Sequence, residues 1–207
     1  MPRLVDHDER RSTIIATTWQ LIAEFGIDQL NMRDLARECG YAGPGVLAHY
    51  FPNKDALMLA SYRLICDRTN ERITTAVAGR RGMDALQGLC LEIIPAEDLT
   101  ATEARVAVAF WQRAQTNAEL HAVGQQALRV WRDLMLGFVA EAENDGTLRP
   151  GLGAEDYVEV ILNFMMGLHI TSMLDPEAVP GSVQRRLLAS TLAQGVVEFP
   201  SPSGRTT

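Results

Sequence analysis

Residues 31–55, NMRDLARECGYAGPGVLAHYFPNKD, restrict the fold more than any other stretch, because a glycine-rich turn separates two short helical patterns. Asn31 is a favourable N-cap for the first helix, and Gly40 ends it. Pro44 suits the first position of a second helix, which we predict over about residues 44–50. Two helices that cross through such a short turn form a helix-turn-helix.

The rest of the chain also has helical periodicity and contains no alternating run bounded by hairpin turns, so an all-α fold is predicted. A first helix is expected over residues 9–25, where apolar residues form one stripe and Gly26 provides the stop. A long helix should follow from about residue 53 to residue 77, because neither glycine nor proline interrupts this stretch. Further helices are predicted at residues 83–94, 101–116, 118–144, 154–174 and 183–198.

The distribution of charge is compatible with a polyanionic partner despite a net charge of −7. Residues 1–70 contain 8 basic and 9 acidic side chains, whereas residues 71–207 contain 11 basic and 17 acidic ones. The acidity therefore belongs to the second part of the chain, and it does not oppose the binding of a polyanion by the first part.

Cysteine usage and hydropathy lead us to expect a cytoplasmic protein. Cys39, Cys66 and Cys90 are odd in number and lack CxxC spacing, so we expect small buried thiols in a reducing compartment rather than disulfides or a zinc site. The chain starts without the basic and then apolar pattern of a signal peptide. Residues 158–174 are the most apolar stretch, but three polar residues interrupt it, so no membrane partner is predicted.

The first 57 residues also contain a spaced set of positions, namely Ile14, Phe25-Gly26, Asn31 to Ala36, Gly40, Gly45, His49-Tyr50-Phe51 and Lys54 to Leu57. This set resembles the N-terminal helix-turn-helix domain of the TetR family of transcriptional repressors. Phe110-Trp111, Trp131 and the turn at residues 145–149 resemble, more loosely, the effector domain of the BetI-like, choline-responsive branch of that family.

The turn departs from the usual pattern of that family. Nine residues, from Tyr41 to His49, separate the turn glycine from the Tyr-Phe pair, where the family usually has eight. The extra residue is expected to lengthen the turn rather than the helix, because Pro44 fixes where the second helix can begin. Ala42 and Gly43 also stand where the family usually has a serine, which removes one hydroxyl-to-phosphate contact.

The resemblance implies a homodimer, a ligand pocket in the second domain and an operator with two half-sites. We therefore expect a DNA-binding transcriptional regulator, in the form of a repressor that a small-molecule effector releases from double-stranded operator DNA. Its parts would be a helix-turn-helix domain at residues 1–52, a larger helical domain for effector binding and dimerisation at residues 53–200, and a disordered tail at residues 201–207. Apolar faces at residues 158–174 and 183–199 are expected to join two copies.

The DNA-binding candidates lie in and around the predicted turn. In the family, the residue that matches Tyr50 hydrogen-bonds a phosphate, and a lysine at a helix start, as at Lys54, should strengthen a phosphate site. The helix before the turn crosses the DNA backbone in this motif, and the outer face of the second helix is expected to touch base edges. The full set is Asn31, Arg33, Gly43, Gly45, Ala48, His49, Tyr50 and Lys54. The plain alternatives are a core role for Tyr50 and a solvated surface position for Lys54 or His49.

The candidates for an effector pocket are Trp111, Trp131, Phe138, Phe164, Met165 and His169. Aromatic side chains at helical spacing are commonly plain core, so a filled second domain that only dimerises is the alternative. A quaternary ammonium ligand would need an aromatic cage with a nearby carboxylate, for which the two tryptophans with Glu103 or Glu92 are candidates. We expect a small effector that is largely hydrophobic or cationic.

Two other classes of protein compete with this interpretation. An all-α enzyme or metal carrier is disfavoured, because no histidine follows a glutamate by three residues and no P-loop, dinucleotide loop or nucleophile elbow appears. We therefore predict no enzyme activity, no cofactor and no metal. An all-α interaction or small-molecule-binding protein without operator binding stays open, because the first domain is nearly neutral.

Overall fold

The computed structural model describes residues 5–26 and 29–197. Within these residues the chain is all-α, as predicted, and the only β-type pairing is an isolated bridge between Leu148 and Val196. The helices are α1 Val5–Phe25, α2 Met32–Glu38, α3 Pro44–Ala48, α4 Lys54–Val77, α5 Gly82–Ile93, α6 Asp98–Ala114, α7 Ala118–Asn144, α8 Ala154–Leu174 and α9 Gly181–Ala193.

Most predicted helix limits agree with the structure, and the differences have local causes. Helix α1 begins at Val5 rather than at residue 9, and α6 begins at Asp98 because Glu97 and Thr100 form a capping box. Helix α9 ends at Ala193 rather than at residue 198, because the chain turns back and the Arg149 amide donates to the Gly195 carbonyl at 2.8 Å. The predicted tail at residues 201–207 lies outside the described residues.

The first hydrophobic core joins the helix-turn-helix to two later helices. Leu35 of α2, Leu47 of α3 and Phe51 are buried together with residues of α1, α4 and α6. Across this core the rings of Tyr62 on α4 and Phe110 on α6 stack, with ring centroids 3.9 Å apart. The core therefore extends past residue 52, the predicted domain boundary, and α6 supports the N-terminal helices directly.

The second core fills the rest of the bundle and is formed by α5, α7, α8 and α9, with the far half of α4 packed against α5. Helix α8 is the one helix in the described part whose length and composition would allow it to cross a membrane. Its side chains Val158, Ile161 and Met165 are nevertheless fully buried in this second core, which is how the central helix of a helical bundle packs.

The three cysteines are unpaired thiols. Cys90 is buried, whereas Cys39 and Cys66 are half-buried. Burial raises the pKa of Cys66 to about 11 and that of Cys90 to about 12. Both thiols are therefore protonated at neutral pH, and they act as small core side chains rather than as nucleophiles.

Candidate functional site

Helix α2 and its cap form the first part of the candidate nucleic-acid interface. The Asn31 side chain accepts a hydrogen bond from the Asp34 amide at 2.9 Å, and its nitrogen donates to the Asp34 carboxylate. The same carboxylate pairs with Arg37 at 2.9 Å. The Asn31 carboxamide is therefore engaged at both ends within the cap. The neighbouring Arg33 is exposed and forms no ion pair with any described residue.

The turn between α2 and α3 is shaped by one glycine in a left-handed conformation. Gly40 has φ 74°, and the amide of Tyr41 donates to the Ala36 carbonyl at 2.8 Å, which closes the end of α2. Helix α3 then begins at Pro44, as predicted, after an extended Gly43. The turn thus ends where proline can start a helix without losing a backbone hydrogen bond.

Helix α3 buries one side and leaves the other open. Leu47 is 0% exposed and fixes the helix on the first core. Gly45, Ala48 and His49 are exposed on the outer side, and a Cβ atom added to Gly45 would meet nothing within 4 Å. Because Gly45 has no side chain and Ala48 has only a methyl group, the backbone of α3 can approach a groove closely at these positions.

The junction of α3 and α4 is held by contacts that sequence reasoning did not identify. The Arg11 guanidinium donates to the Tyr50 carbonyl at 3.0 Å and lies 4.4 Å from the centre of the Phe51 ring. Tyr50 is half-buried, with its ring centroid 4.7 Å from that of His7. Its hydroxyl forms no hydrogen bond with the described residues and is available to a phosphate. The sequence places Arg11 on α1 but cannot show which later residues it meets.

Lys54 is half-buried at the first position of α4. The Asn53 side chain caps this helix by accepting from the Ala56 amide at 2.8 Å. A helix N-terminus carries a partial positive charge, so the lysine and the helix end favour an anion at the same place.

Three of the predicted ligand residues surround a small inner cavity in the second part of the chain. Trp111, Trp131 and His169 line a space of about 20 Å³ next to Tyr62. The Trp111 indole donates to the Tyr62 hydroxyl at 3.3 Å, and the Trp131 indole donates to the Asn70 carboxamide oxygen at 3.1 Å. Both indole N–H groups are thus satisfied, and the cavity has room for about one water molecule.

A half-buried arginine neutralises one of the two carboxylates beside this cavity. The Arg72 guanidinium binds both oxygens of Glu103, at 2.8 and 3.1 Å, and its Nε donates to Glu92 at 3.1 Å. Glu103 is only 4% exposed, so the pair must stay together to avoid an unpaired buried charge. Burial lowers the pKa of His169, which keeps that imidazole neutral at pH 7. The side chains around the cavity therefore carry a net negative charge.

The other three predicted ligand residues lie elsewhere. Met165 is fully buried in the second core, and its carbonyl contacts Nδ1 of His169 at 2.9 Å. Phe138 and Phe164 are half-buried against the same core. None of the three lines the inner cavity. Sequence reasoning missed Tyr62, Cys66 and Thr69 in the cavity wall, although their spacing of three or four residues on one helix was visible.

An open groove of about 350 Å³ lies on the outer side of Trp111. Its walls come from α6, α7 and α8, and the lining residues are Trp111, Ala114, Gln115, His121, Gly124, Gln125, Leu128, Met166 and Ile170. Trp111 lines both the groove and the inner cavity, so this side chain forms the wall between them. Within the described residues, no group of three or more His, Cys, Asp and Glu side chains could hold a metal ion.

Comparison with known families matches both parts of the chain. Residues 14–61 match the family described as bacterial regulatory proteins, tetR family. Residues 82–196 match the family described as BetI-type transcriptional repressor, C-terminal. The two matches cover the helix-turn-helix and the bundle that contains the cavity and groove.

Similar proteins support the same relationship. The chain is 25% identical over 199 residues to the HTH-type transcriptional regulator PksA of Bacillus subtilis, and the match covers 96% of this chain and 95% of the relative. It is 30% identical over 122 residues to BetI of Stenotrophomonas maltophilia, with 58% and 62% covered. A transcriptional regulator from Saccharomonospora viridis, solved in complex with choline, has the same fold with a TM-score of 0.85 at 20% identity, covering 93% of this chain and 100% of that one.

The exposed side of α3 allows a test that separates folding from binding. We expect Gly45→Ala to fold normally and to raise the free energy of unfolding by up to about 1 kcal/mol, because alanine favours a helix and the added methyl has open space. Affinity for duplex DNA should fall by about 1–3 kcal/mol, since the methyl would stand between the helix and the base edges. Urea unfolding and equilibrium DNA binding measure the two effects.

Gly137→Ala is the matched control, because Gly137 also lies within a helix and an added Cβ atom would meet open space there as well. It should change stability in the same direction without changing DNA affinity. Equal DNA affinity of Gly45→Ala and the wild-type protein would show that the backbone of α3 does not approach a groove.

Proposed function

This chain belongs to the TetR family of DNA-binding transcriptional regulators, and we propose that it is a homodimeric repressor that a small organic effector releases from its operator. The observation that carries the proposal is the shape of α3, in which buried Leu47 fixes the helix while Gly45, Ala48 and His49 face outward. A bacterial regulator of this kind acts where the DNA is, in the cytoplasm.

The contacts to DNA are proposed to divide into two kinds. Tyr50, Lys54 and Arg33 bind phosphates. Tyr50 offers a hydroxyl and Arg33 a cation that have no partner among the described residues, and Lys54 offers a cation at a helix start. Gly45, Ala48 and His49 meet base edges in the major groove. Phosphate contacts fix the position of a protein on the duplex, whereas base contacts choose the sequence. Asn31 contributes by capping α2 and thereby holding Arg33 in place.

Replacement of Lys54 tests the phosphate contacts. Lys54→Ala should weaken binding to preferred and scrambled duplexes about equally, because a phosphate carries no sequence information. We call the unit of α1 to α3 in one protomer the reading head. For each reading head, the slope of log affinity against log salt concentration should fall by about one. The reason is that the loss of one phosphate contact releases about one counterion fewer on binding. Binding isotherms at several salt concentrations measure this slope.

Arg129→Ala serves as the control, because it removes one exposed cation from α7, on the other part of the molecule. It should leave the salt slope unchanged. A slope for Lys54→Ala equal to the wild-type slope would contradict the assignment of this residue to a phosphate.

The dimer is proposed to form through α8 and α9. Val160 and Leu174 on α8 are 54% and 80% exposed, and Ile170 lies on the same stripe of the helix. Leu187 adds an exposed apolar side chain on α9. Such a stripe on two adjacent helices suits an isologous contact, in which the same surface of each copy meets its counterpart. Because Ile170 also lines the groove beside Trp111, a second copy would lie close to the mouth of that groove.

A negative charge introduced on the exposed apolar stripe of α8 tests whether this surface forms the dimer. Val160→Glu should convert the protein to a monomer at micromolar concentration, because dimerisation would bury an unpaired carboxylate. Leu91→Glu changes an exposed leucine on α5 and should leave the dimer intact. Light scattering measures the mass. Tight DNA binding should be lost together with the dimer, because one reading head engages one half-site. A monomeric wild-type protein would contradict the proposal.

The effector is proposed to bind at Trp111 and to be a small organic cation. The chemistry of the region supports a cation, because the rings of Trp111 and Trp131 can contact one and His169 is neutral. Two glutamates and one arginine also give the region a net negative charge. The likeness to a regulator solved with choline makes choline the first compound to test. Because the inner cavity has room for only about one water molecule, the ligand must enter from the groove and widen the site.

Helix α4 is proposed to carry the effect of the ligand to the DNA. Tyr62, Cys66 and Thr69 of α4 line the inner cavity, and Lys54 begins the same uninterrupted helix. A ligand shifts such an equilibrium only if it binds one conformation more tightly than the other. A small tilt of α4 in the ligand-bound conformation would move both reading heads and spoil their spacing on the operator.

Choline and its neutral isostere 3,3-dimethylbutanol test this part of the proposal. Choline should raise the melting temperature and weaken binding to the selected duplex by about 5–150-fold, the usual range for coupled sites. The neutral isostere should do neither, because it lacks the charge that the aromatic rings and carboxylates recognise. Equal effects of the two compounds would assign the site to apolar ligands, and stabilisation without loss of DNA affinity would contradict α4 as the link.

A further inference from the structure

Asp55 connects the first turn of α4 to the end of α6 and the start of α7. Its Oδ1 accepts from Nε of Arg113 at 2.6 Å, and its Oδ2 accepts from Nη2 of the same arginine at 3.3 Å. The Asn117 side chain donates to Oδ2 at 3.0 Å. Asn117 also caps α7 through the amides of Glu119 and Leu120, so its position is fixed by the helix that it starts.

This cluster joins the proposed phosphate contact at Lys54 to the proposed effector groove beside Trp111. Asp55 directly follows Lys54, the proposed phosphate ligand. Arg113 lies two residues after Trp111, and Ala114 and Gln115 beside it line the groove where the effector is proposed to bind. The segment from Trp111 to Asn117 therefore has two roles. Some of its residues line the groove, and others bind Asp55 of α4. Any movement that widens the groove at this segment also moves the groups that hold Asp55.

The charge state of the cluster suits a fixed connection. The hydrogen bond from Arg113 lowers the pKa of Asp55, so the carboxylate is ionised throughout the neutral range. A bidentate arginine–carboxylate pair fixes direction as well as distance, because both groups are planar. Met58, one turn after Asp55, is fully buried in the first core, so a shift of this turn is transmitted to the packed helices of the reading head.

We propose that Asp55 is a positioning residue, which holds the N-terminal turn of α4 in the DNA-binding position through Arg113 and Asn117 and yields when the effector displaces the end of α6. This inference rests on the proposed function. It adds a second route beside the length of α4, because the end of α6 reaches Asp55, the residue next to Lys54, through a short polar contact rather than through the core.

The sign of the effect on DNA affinity distinguishes positioning from simple electrostatics. Asp55→Asn removes a negative charge beside a phosphate ligand, so electrostatics alone predicts tighter DNA binding, whereas Arg113→Gln removes a positive charge and predicts weaker binding. If Asp55 positions α4, both substitutions weaken binding by about three- to tenfold, because each breaks the same connection. The double variant should bind no more weakly than either single variant, since the connection is lost only once.

The experiment uses the full-length protein and a duplex that the wild-type protein selects from a randomised pool. Affinity is measured for Asp55→Asn, Arg113→Gln and the double variant at several salt concentrations. The salt slope should stay at its wild-type value, because no phosphate contact is removed. Arg185→Gln is the matched control, as it breaks an exposed arginine–carboxylate pair of 2.8 Å, between Arg185 and Glu97, and should leave DNA affinity unchanged.

Two further readouts exclude a general loss of structure. Hydrogen exchange should accelerate in the first turn of α4 but not in α5, whereas a destabilised fold would accelerate both. The inference would be overturned if Asp55→Asn tightened DNA binding while Arg113→Gln weakened it, or if the losses of DNA affinity were additive in the double variant. Either result would leave the proposed function intact. A wild-type protein that selects no duplex would overturn the proposed function itself and the inference with it.

Discussion

The reading head depends on burial against helices that follow it in the chain. Helix α2 has 7 residues and α3 has 5, and helices shorter than about 12 residues are marginal in water when isolated. Leu35, Leu47 and Phe51 therefore hold these helices in place by packing into a core that α4 and α6 complete. The stacked pair of Tyr62 and Phe110 lies within that core and joins the two supporting helices.

This dependence has a functional consequence. A reading head with its own complete core would turn independently of the rest of the molecule, whereas this head shares its core with the helices that line the cavity and the groove. The position of α3 is thus tied to the packing of α4 and α6. Packed interfaces of this kind shift between discrete arrangements rather than deforming continuously, which is what a two-state regulator requires.

The inner cavity shows how a polar group is kept in a helical core. Arg72 is surrounded by Glu103, Glu92 and the Thr69 hydroxyl, which together satisfy its guanidinium. The buried carboxylate of Glu103 costs free energy when it leaves water, and bidentate pairing with the half-buried Arg72 offsets part of that cost. Replacing the pair with apolar residues would fill the space more simply, so the retained charges give this region a polarity that plain packing does not need.

The sequence by itself determined the helical architecture and the reading head. Asn31, Gly40 and Pro44 act through their own backbone and neighbouring amides, and the period of apolar residues sets which face of each helix is buried. The confirmed all-α fold and the family relationship therefore followed from local patterns and from the spacing of a few residues. The limits of α4, α7 and α8 followed for the same reason, because glycine, proline and capping residues act over one helical turn.

Only the tertiary structure decided which distant residues meet. Trp111, Trp131 and Glu103 are brought to one cavity while Phe138 and Phe164 pack elsewhere, although all of them have similar helical spacing. Arg72 meets Glu103 across 31 positions, and Arg113 meets Asp55 across 58. Such contacts depend on the crossing of whole helices, and a side chain's own sequence neighbourhood contains no information on which helix will lie against it.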